Sequence, residues 1–302
     1  MSTRRDFDDT AVRRVARRLA AAAEPPWLHG EVARRMAERL PMILRRPDTI
    51  VEWSAHLGAS GALLEAAYPQ ARRALVEPTP QLHARSARSA QAPWWSMRRL
   101  RGGQPAVWSD DEVPAGHAQL LWSNMLLHAV GDPPELLARW KRVLADDGFV
   151  MFSTLGPATL QELKALYGEL GWPAPLAPFV DMHDLGDMLV EAGFADPVMD
   201  QEQLVLTWPD GESLLRELRG LGGNVHRARM AGLRTPRWRQ RLLDALAARR
   251  DAQGRIPMTF EIVYGHAFNA PPKARVRDRT EVGLDDFRRM VKGRARPEPD
   301  CV

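Results

Sequence analysis

Between residues 49 and 153, short apolar runs alternate with segments whose apolar residues recur at helical spacing. This alternation constrains the fold more than any other feature of the chain. Residues 49–53 form a β run, and 58–68 read as a helix. Strands are predicted again at 74–76, 117–122 and 149–153, with a helix over 134–144 and a turn at Asp147-Gly148. Thr79 is placed to cap the helix that follows the second strand. Strand–helix repetition with short links predicts an α/β, doubly wound parallel sheet covered on both faces.

Two helices precede this unit, over 10–23 and 30–40, where Val32, Met36 and Leu40 keep helical spacing. Pro25 and Pro26 break the chain between them. After it come a helix at 184–192 closed by Gly193, a strand at 197–208, and helices at 211–221 and 236–249. A last strand is predicted at 258–268, so the two late strands form an antiparallel edge. Residues 271–302 are Pro-rich and highly charged, the composition of a disordered tail. The chain therefore divides into N-terminal helices (1–41), an α/β domain (42–270) and a tail (271–302).

A single cysteine, Cys301, excludes an internal disulfide framework and a cysteine metal site, and makes a reducing cytoplasm the default. The histidines are scattered without ligand spacing, so no metal is expected. No apolar run is long enough to span a bilayer, and no membrane partner is expected. The Arg-rich N-terminus resembles a transit peptide, but Asp6, Asp8 and Asp9 argue for a surface helix. The net charge of +4 suits an acidic partner without choosing between nucleic acid and protein.

In a doubly wound sheet the first strand–turn–helix unit, IVEWSAHLGASGALLEAAYP, is where a nucleotide binds. Glycines favour such a turn because backbone must approach the ligand and adopt positive φ. Here Gly58 and Gly61 remain. Glu77 ends the second strand, where a carboxylate can accept two ribose hydroxyls. An ordinary strand–turn–helix without ligand, and an exposed turn acid, are the competing readings. Trp53, Trp94 and Trp95 are expected to be buried rather than stacked on a cofactor.

The first unit resembles the opening motif of class I methyltransferases, an acid followed by alternating glycines. On that resemblance Glu52 takes the acidic position, and Ser54, His56 and Gly58 take the three glycine positions. Asp110, within Asp110-Asp111-Glu112, resembles the acid that contacts adenine. From residue 120 the resemblance becomes specific. The Trp-Ser-Asn after the fourth strand, the Asp-Pro-Pro, the Phe-Ser-Thr-x-Gly-Pro-x-Thr-Leu-x-Glu-Leu and the Asp-Met-His-Asp together are similar to the malonyl-acyl-carrier-protein O-methyltransferase family of biotin synthesis. A related group of mitochondrial complex I assembly factors shares them. The resemblance runs from about Val12 to Phe268.

It implies a seven-stranded Rossmann-like class I sheet with helical lid elements, S-adenosyl-L-methionine as cofactor, and methylation of the free carboxylate of malonyl-acyl-carrier protein or malonyl-CoA. Ser123 and Asn124 then line the methyl position, and Arg219 receives the malonyl carboxylate with Asn224 and His226 nearby. His128 is read as a packing residue. The family's N-terminal Phe and Tyr have no counterpart in VARRLAAAAEPPW before Trp27. Two replaced glycines and this missing pair leave a second reading open, an inert paralogue that binds or regulates. A nucleic-acid methyltransferase is disfavoured, because the basic residues are dispersed and no RNA-binding module is present.

Overall fold

The computed structural model describes residues 5–90 and 104–269. The expected tail and the readings of Trp94 and Trp95 lie outside the described residues.

Helix α1 (Asp9–Ala21) starts where the Asp8 carboxylate accepts the N–H groups of Thr10 and Ala11. Helix α2 (Trp27–Ala37) buries Leu28, His29, Val32, Ala33 and Met36 against the sheet. Then follow β1 (Thr49–Trp53), the short turn α3 (Ala55–Gly58), α4 (Gly61–Ala67), β2 (Arg72–Val76), α5 (Pro80–Ala90) and β3 (Ala106–Trp108). The second half holds β4 (Ala118–Ser123), α6 (Pro133–Val143), β5 (Leu144–Leu155), α7 (Gln161–Glu169) and α8 (Met182–Glu191). It ends with β6 (Ala195–Trp208), α9 (Gly211–Leu221), α10 (Pro236–Ala247) and β7 (Ile256–Phe268).

Several helix starts follow from their caps. Asp132, Asp181, Asp210 and Thr235 each accept a backbone N–H of the first turn. Pro133 and Pro236 occupy the first turn, where a missing N–H costs nothing.

The seven strands form one sheet in the order β3-β2-β1-β4-β5-β7-β6. Pairs β1–β2, β1–β4, β2–β3 and β4–β5 are parallel, and β7 runs antiparallel to β5 and β6. This is the predicted doubly wound sheet with an antiparallel edge. One apolar cluster lies on each face, one around Leu120, Trp122 and Phe260, the other around Val51, Trp140 and Phe152. The strand order reverses between β1 and β4, so their carboxyl ends open the crevice where such sheets bind ligands.

Local differences from the expected elements have physical causes. The helix expected over 58–68 starts at Gly61, because Ala59 takes a left-handed conformation (φ 54°) and separates it from α3. Asp147-Gly148 turns as expected, with φ 62° at Asp147, but lies inside β5. There the β4–β5 register shifts, and a Cβ on Gly148 would stand 2.8 Å from the Ala118 carbonyl oxygen.

Candidate functional site

The crevice floor is built by the segments leaving β1 and β4. Ser54, directly after β1, is buried with φ 58° and ψ 49°. A β-carbon in that conformation costs roughly 1–2 kcal/mol. Its backbone N–H donates to the Val76 carbonyl, and its carbonyl accepts from Gly58, which closes the turn. No side-chain capping bond offsets the strain. The variant Ser54→Gly is therefore expected to raise unfolding free energy by about 1 kcal/mol in urea titration. A loss of stability would show that the serine side chain does more than tolerate the turn.

Glu77 is buried at the end of β2. Its Oε1 accepts from the His56 backbone N–H at 2.8 Å and from the Ser86 hydroxyl of α5. Its Oε2 has no partner among the described residues. Burial pushes the carboxyl up to about 7, and the two hydrogen bonds oppose that rise. The His56 imidazole is half-buried, and its Nε2 is without a partner among the described residues. Burial lowers its pKa, as does nearby Arg85, whereas Glu24 raises it.

Glu52 is buried in the middle of β1. Arg73 of β2 donates to its Oε2 at 2.7 Å and to the Gly61 carbonyl at 2.9 Å. Burial raises the Glu52 pKa against the attraction of Arg73. Glu52, His56, Arg73 and Ser86 line a cavity of about 300 Å³ beside the turn.

At the end of β4, Ser123 is fully buried and its hydroxyl has no partner among the described residues. Asn124 is buried with every group engaged. Its amide donates to the carbonyls of His29 (2.8 Å) and Gly58 (2.6 Å), and its oxygen accepts from the Ser153 hydroxyl at 2.6 Å. His29 completes the clasp by donating from Nδ1 to the Leu57 carbonyl at 2.8 Å. Burial lowers the His29 pKa to about 4, which keeps the ring neutral with its proton on Nδ1. Asn124 therefore ties β1's turn, α2 and β5 together, and acts as a positioning residue.

The remaining expected residues lie further apart. Asp110 is half-buried after β3, 3.8 Å from Arg139, with Oδ1 unpartnered and its pKa raised by burial. Arg219 is exposed in the last turn of α9, and no hydrogen bond or ion pair links it to the described residues. Arg18 of α1 stands close to it, and burial and then this like charge lower the Arg18 pKa. Asn224 and His226 are engaged in holding their loop: the Asn224 oxygen accepts from the His226 N–H, the Asn224 amide donates to the Ala174 carbonyl, and His226 bridges to Phe7. His128 is half-buried edge-on to Phe179 at 6.0 Å, and desolvation lowers its pKa to about 3, which suits packing.

Sequence reasoning missed Arg73, Ser86, Ser153, Arg85 and the clasp role of His29. A buried acid in an apolar strand signals that a cation must pair with it. Which of the many arginines does so is a tertiary fact.

The described residues contain no group of three side chains able to hold a metal ion. None of their helices is long and apolar enough to cross a membrane. Residues 28–196 match the family model described as a methyltransferase domain. The malonyl-(acyl-carrier protein) O-methyltransferase of Laribacter hongkongensis is 38% identical, over 85% of this chain and 87% of that protein. The protein of the same name from Halorhodospira halophila is 36% identical, over 93% of this chain and 92% of its own length. Among solved structures, the YcgJ protein of Bacillus subtilis shares the fold at a TM-score of 0.53 and 12% identity, covering 80% of this chain and 99% of its own. A methyltransferase-domain match over more than half the chain, with relatives this similar along nearly their whole length, means that the chain belongs to the malonyl-acyl-carrier-protein O-methyltransferase family.

Proposed function

We propose that this chain transfers a methyl group from S-adenosylmethionine to the free carboxylate of malonyl-acyl-carrier protein, with the cofactor held at the carboxyl ends of β1, β2 and β4. One observation carries the placement. Among the described residues Glu77 Oε2, His56 Nε2 and Ser123 Oγ are buried polar atoms without partners, set at the carboxyl ends of β1, β2 and β4 where the strand order reverses. Native proteins rarely leave such atoms unpaired, so these three are available to a ligand. The set fits an adenosine-bearing cofactor. Glu77 Oε2 would take the ribose hydroxyls, and Asp110 Oδ1, also unpartnered, the adenine side.

When bound, the cofactor supplies an electrophilic methyl on a positively charged sulfur. The protein's tasks are alignment, exclusion of water and holding the acceptor. Malonyl carboxylate is already an anion at neutral pH, so no general base is needed to form the nucleophile. His29 and His128 are held neutral by burial and serve the scaffold rather than proton transfer. Arg219 and neighbouring Arg18 form a basic group without an acidic partner among the described residues, suited to a carboxylate. Asn124 fixes the floor on which Ser123 stands.

Calorimetric titration with S-adenosylhomocysteine tests the placement. Micromolar affinity is expected, lost on Glu77→Gln with His56→Leu, and no heat at millimolar ligand would overturn it. The Glu77 titration adds a pH signature. Its ionised form accepts two hydroxyls, and its pKa is pushed up to about 7. Affinity is therefore expected to rise about tenfold between pH 6 and 8, and Glu77→Gln to flatten that rise. Stability of the ligand-free protein moves the opposite way. A carboxyl raised from 4.5 to about 7 binds its proton more tightly folded than unfolded, so its contribution is lost as pH climbs through that window.

A further inference from the structure

Helix α1 is held firmly at one end and lightly at the other. At its start, the Asp8 N–H donates to the Val225 carbonyl, Asp8 pairs with Arg229 at 2.6 Å, and Phe7 bridges to His226. Ala11 is its one buried residue and lies in this first half. The second half, through Ala21, has no buried side chain and runs into a linker ended by Pro25 and Pro26.

Two guanidinium groups fix that second half: Arg18 of α1 donates to the Gly222 carbonyl, and Arg85 ties the helix end and its linker to α5. Arg85 of α5 donates to the Ala20 carbonyl at 2.9 Å and to the carbonyls of Ala22 and Ala23. Carbonyls at a helix C-terminus lack intrahelical partners and carry partial negative charge, so an arginine suits them. Around this contact the surface is an open depression of about 420 Å³ lined by Ala20, Ala21, Arg85, Arg88 and Ser89. Apolar packing therefore contributes little to holding the two helices together there.

Two further contacts tie this junction to the crevice. Ser86, the next residue of α5, donates to Glu77 Oε1. The His56 imidazole lies within electrostatic reach of both Arg85 and Glu24 of the linker. The linker thus stands near the Ser54–Gly58 turn, and one turn of α5 touches the linker with Arg85 and the ribose-side acid with Ser86.

We propose that Arg85 is a positioning residue that latches α1 and its linker shut over the cofactor end of the sheet, so that breaking its three carbonyl bonds opens the route to Glu77 and Ser123. The unpartnered atoms there are closed to water, so ligand entry requires a moving element. The weakly buried end of α1 has little apolar packing to lose on opening. The proposal rests on the functional reading for what enters, but the latch itself is readable without ligand.

The test is hydrogen exchange on the full chain, with stopped-flow binding of S-adenosylhomocysteine, for wild type, Arg85→Ala and Arg85→Lys. In Arg85→Ala the amides of residues 19–24 are expected to exchange at least tenfold faster while those of α2 keep their rates. Ligand association and dissociation should both accelerate several-fold. Arg85→Lys keeps the charge but reaches fewer carbonyls, so it should fall between the two, and it decides the matter if the alanine variant does not fold. Wild-type exchange at 19–24 would overturn the latch, as would faster exchange with unchanged binding kinetics. If wild type binds no S-adenosylhomocysteine, the functional reading fails, and the exchange rates alone decide the latch.

Discussion

Arg73→Ala is expected to destabilise the protein by about 3–5 kcal/mol in urea unfolding, among the largest effects of any single substitution. Glu52 is buried in β1, and the Arg73 guanidinium at 2.7 Å is its ion-pair partner. Removing the cation leaves a buried carboxylate that must stay charged without a partner or take up a proton. Arg73 also donates to the Gly61 carbonyl at the start of α4, so the variant loosens the helix that follows the turn. Replacing both partners together, Glu52→Leu with Arg73→Met, should recover most of the loss, because a pair removed whole leaves no orphan. A cost below about 1 kcal/mol for Arg73→Ala would mean that the pair behaves as an exposed one.

Asn124→Ala is expected to cost about 3–5 kcal/mol and to abolish ligand binding. The substitution deprives the carbonyls of His29 and Gly58 of a donor, and the Ser153 hydroxyl of an acceptor. Each lost bond costs about 1 kcal/mol, and each buried group left unpaired adds to that. Asn124→Asp should be as damaging, since a carboxylate cannot donate to either carbonyl and would bury a charge. Gln would not rescue, because the three partners fix the reach of the amide. A variant that keeps wild-type stability would remove Asn124 from the clasp.

The first half of the sheet was legible because β1, β2 and β4 are short apolar runs between helical periods, and that pattern survives without tertiary information. β1 fell on 49–53 as expected, and the late strands paired antiparallel. β3 escaped because three residues, Ala106–Trp108, are too few to show a period. The early start of β5 escaped because Asp147-Gly148 is a turn signal that the β4–β5 pair accommodates as an irregularity within the strand.

At the site, the expected positions Ser54, His56, Glu77, Ser123 and Asn124 come together around one turn. Their partners were not readable. Ser86 and Ser153 are ordinary serines until the fold carries them to Glu77 and Asn124, and Arg85 looks like any other arginine of a basic chain. The replaced glycines were legible as a departure. How the turn carries them was not: Ser54 accepts the left-handed strain, and the His56 N–H is held by Glu77.

The central claim is tested most directly by incubating the full chain with S-adenosylmethionine and malonyl-acyl-carrier protein and weighing the carrier protein by mass spectrometry. The account predicts a gain of one methyl group, placed on the malonyl carboxylate because alkaline hydrolysis of the ester removes it, and no gain on acetyl-acyl-carrier protein, which lacks the free carboxylate. An unmodified malonyl carrier, with S-adenosylhomocysteine binding intact, would contradict the proposed acceptor. An unmodified carrier with no cofactor binding would contradict the methyltransferase reading itself and leave the inert paralogue in its place.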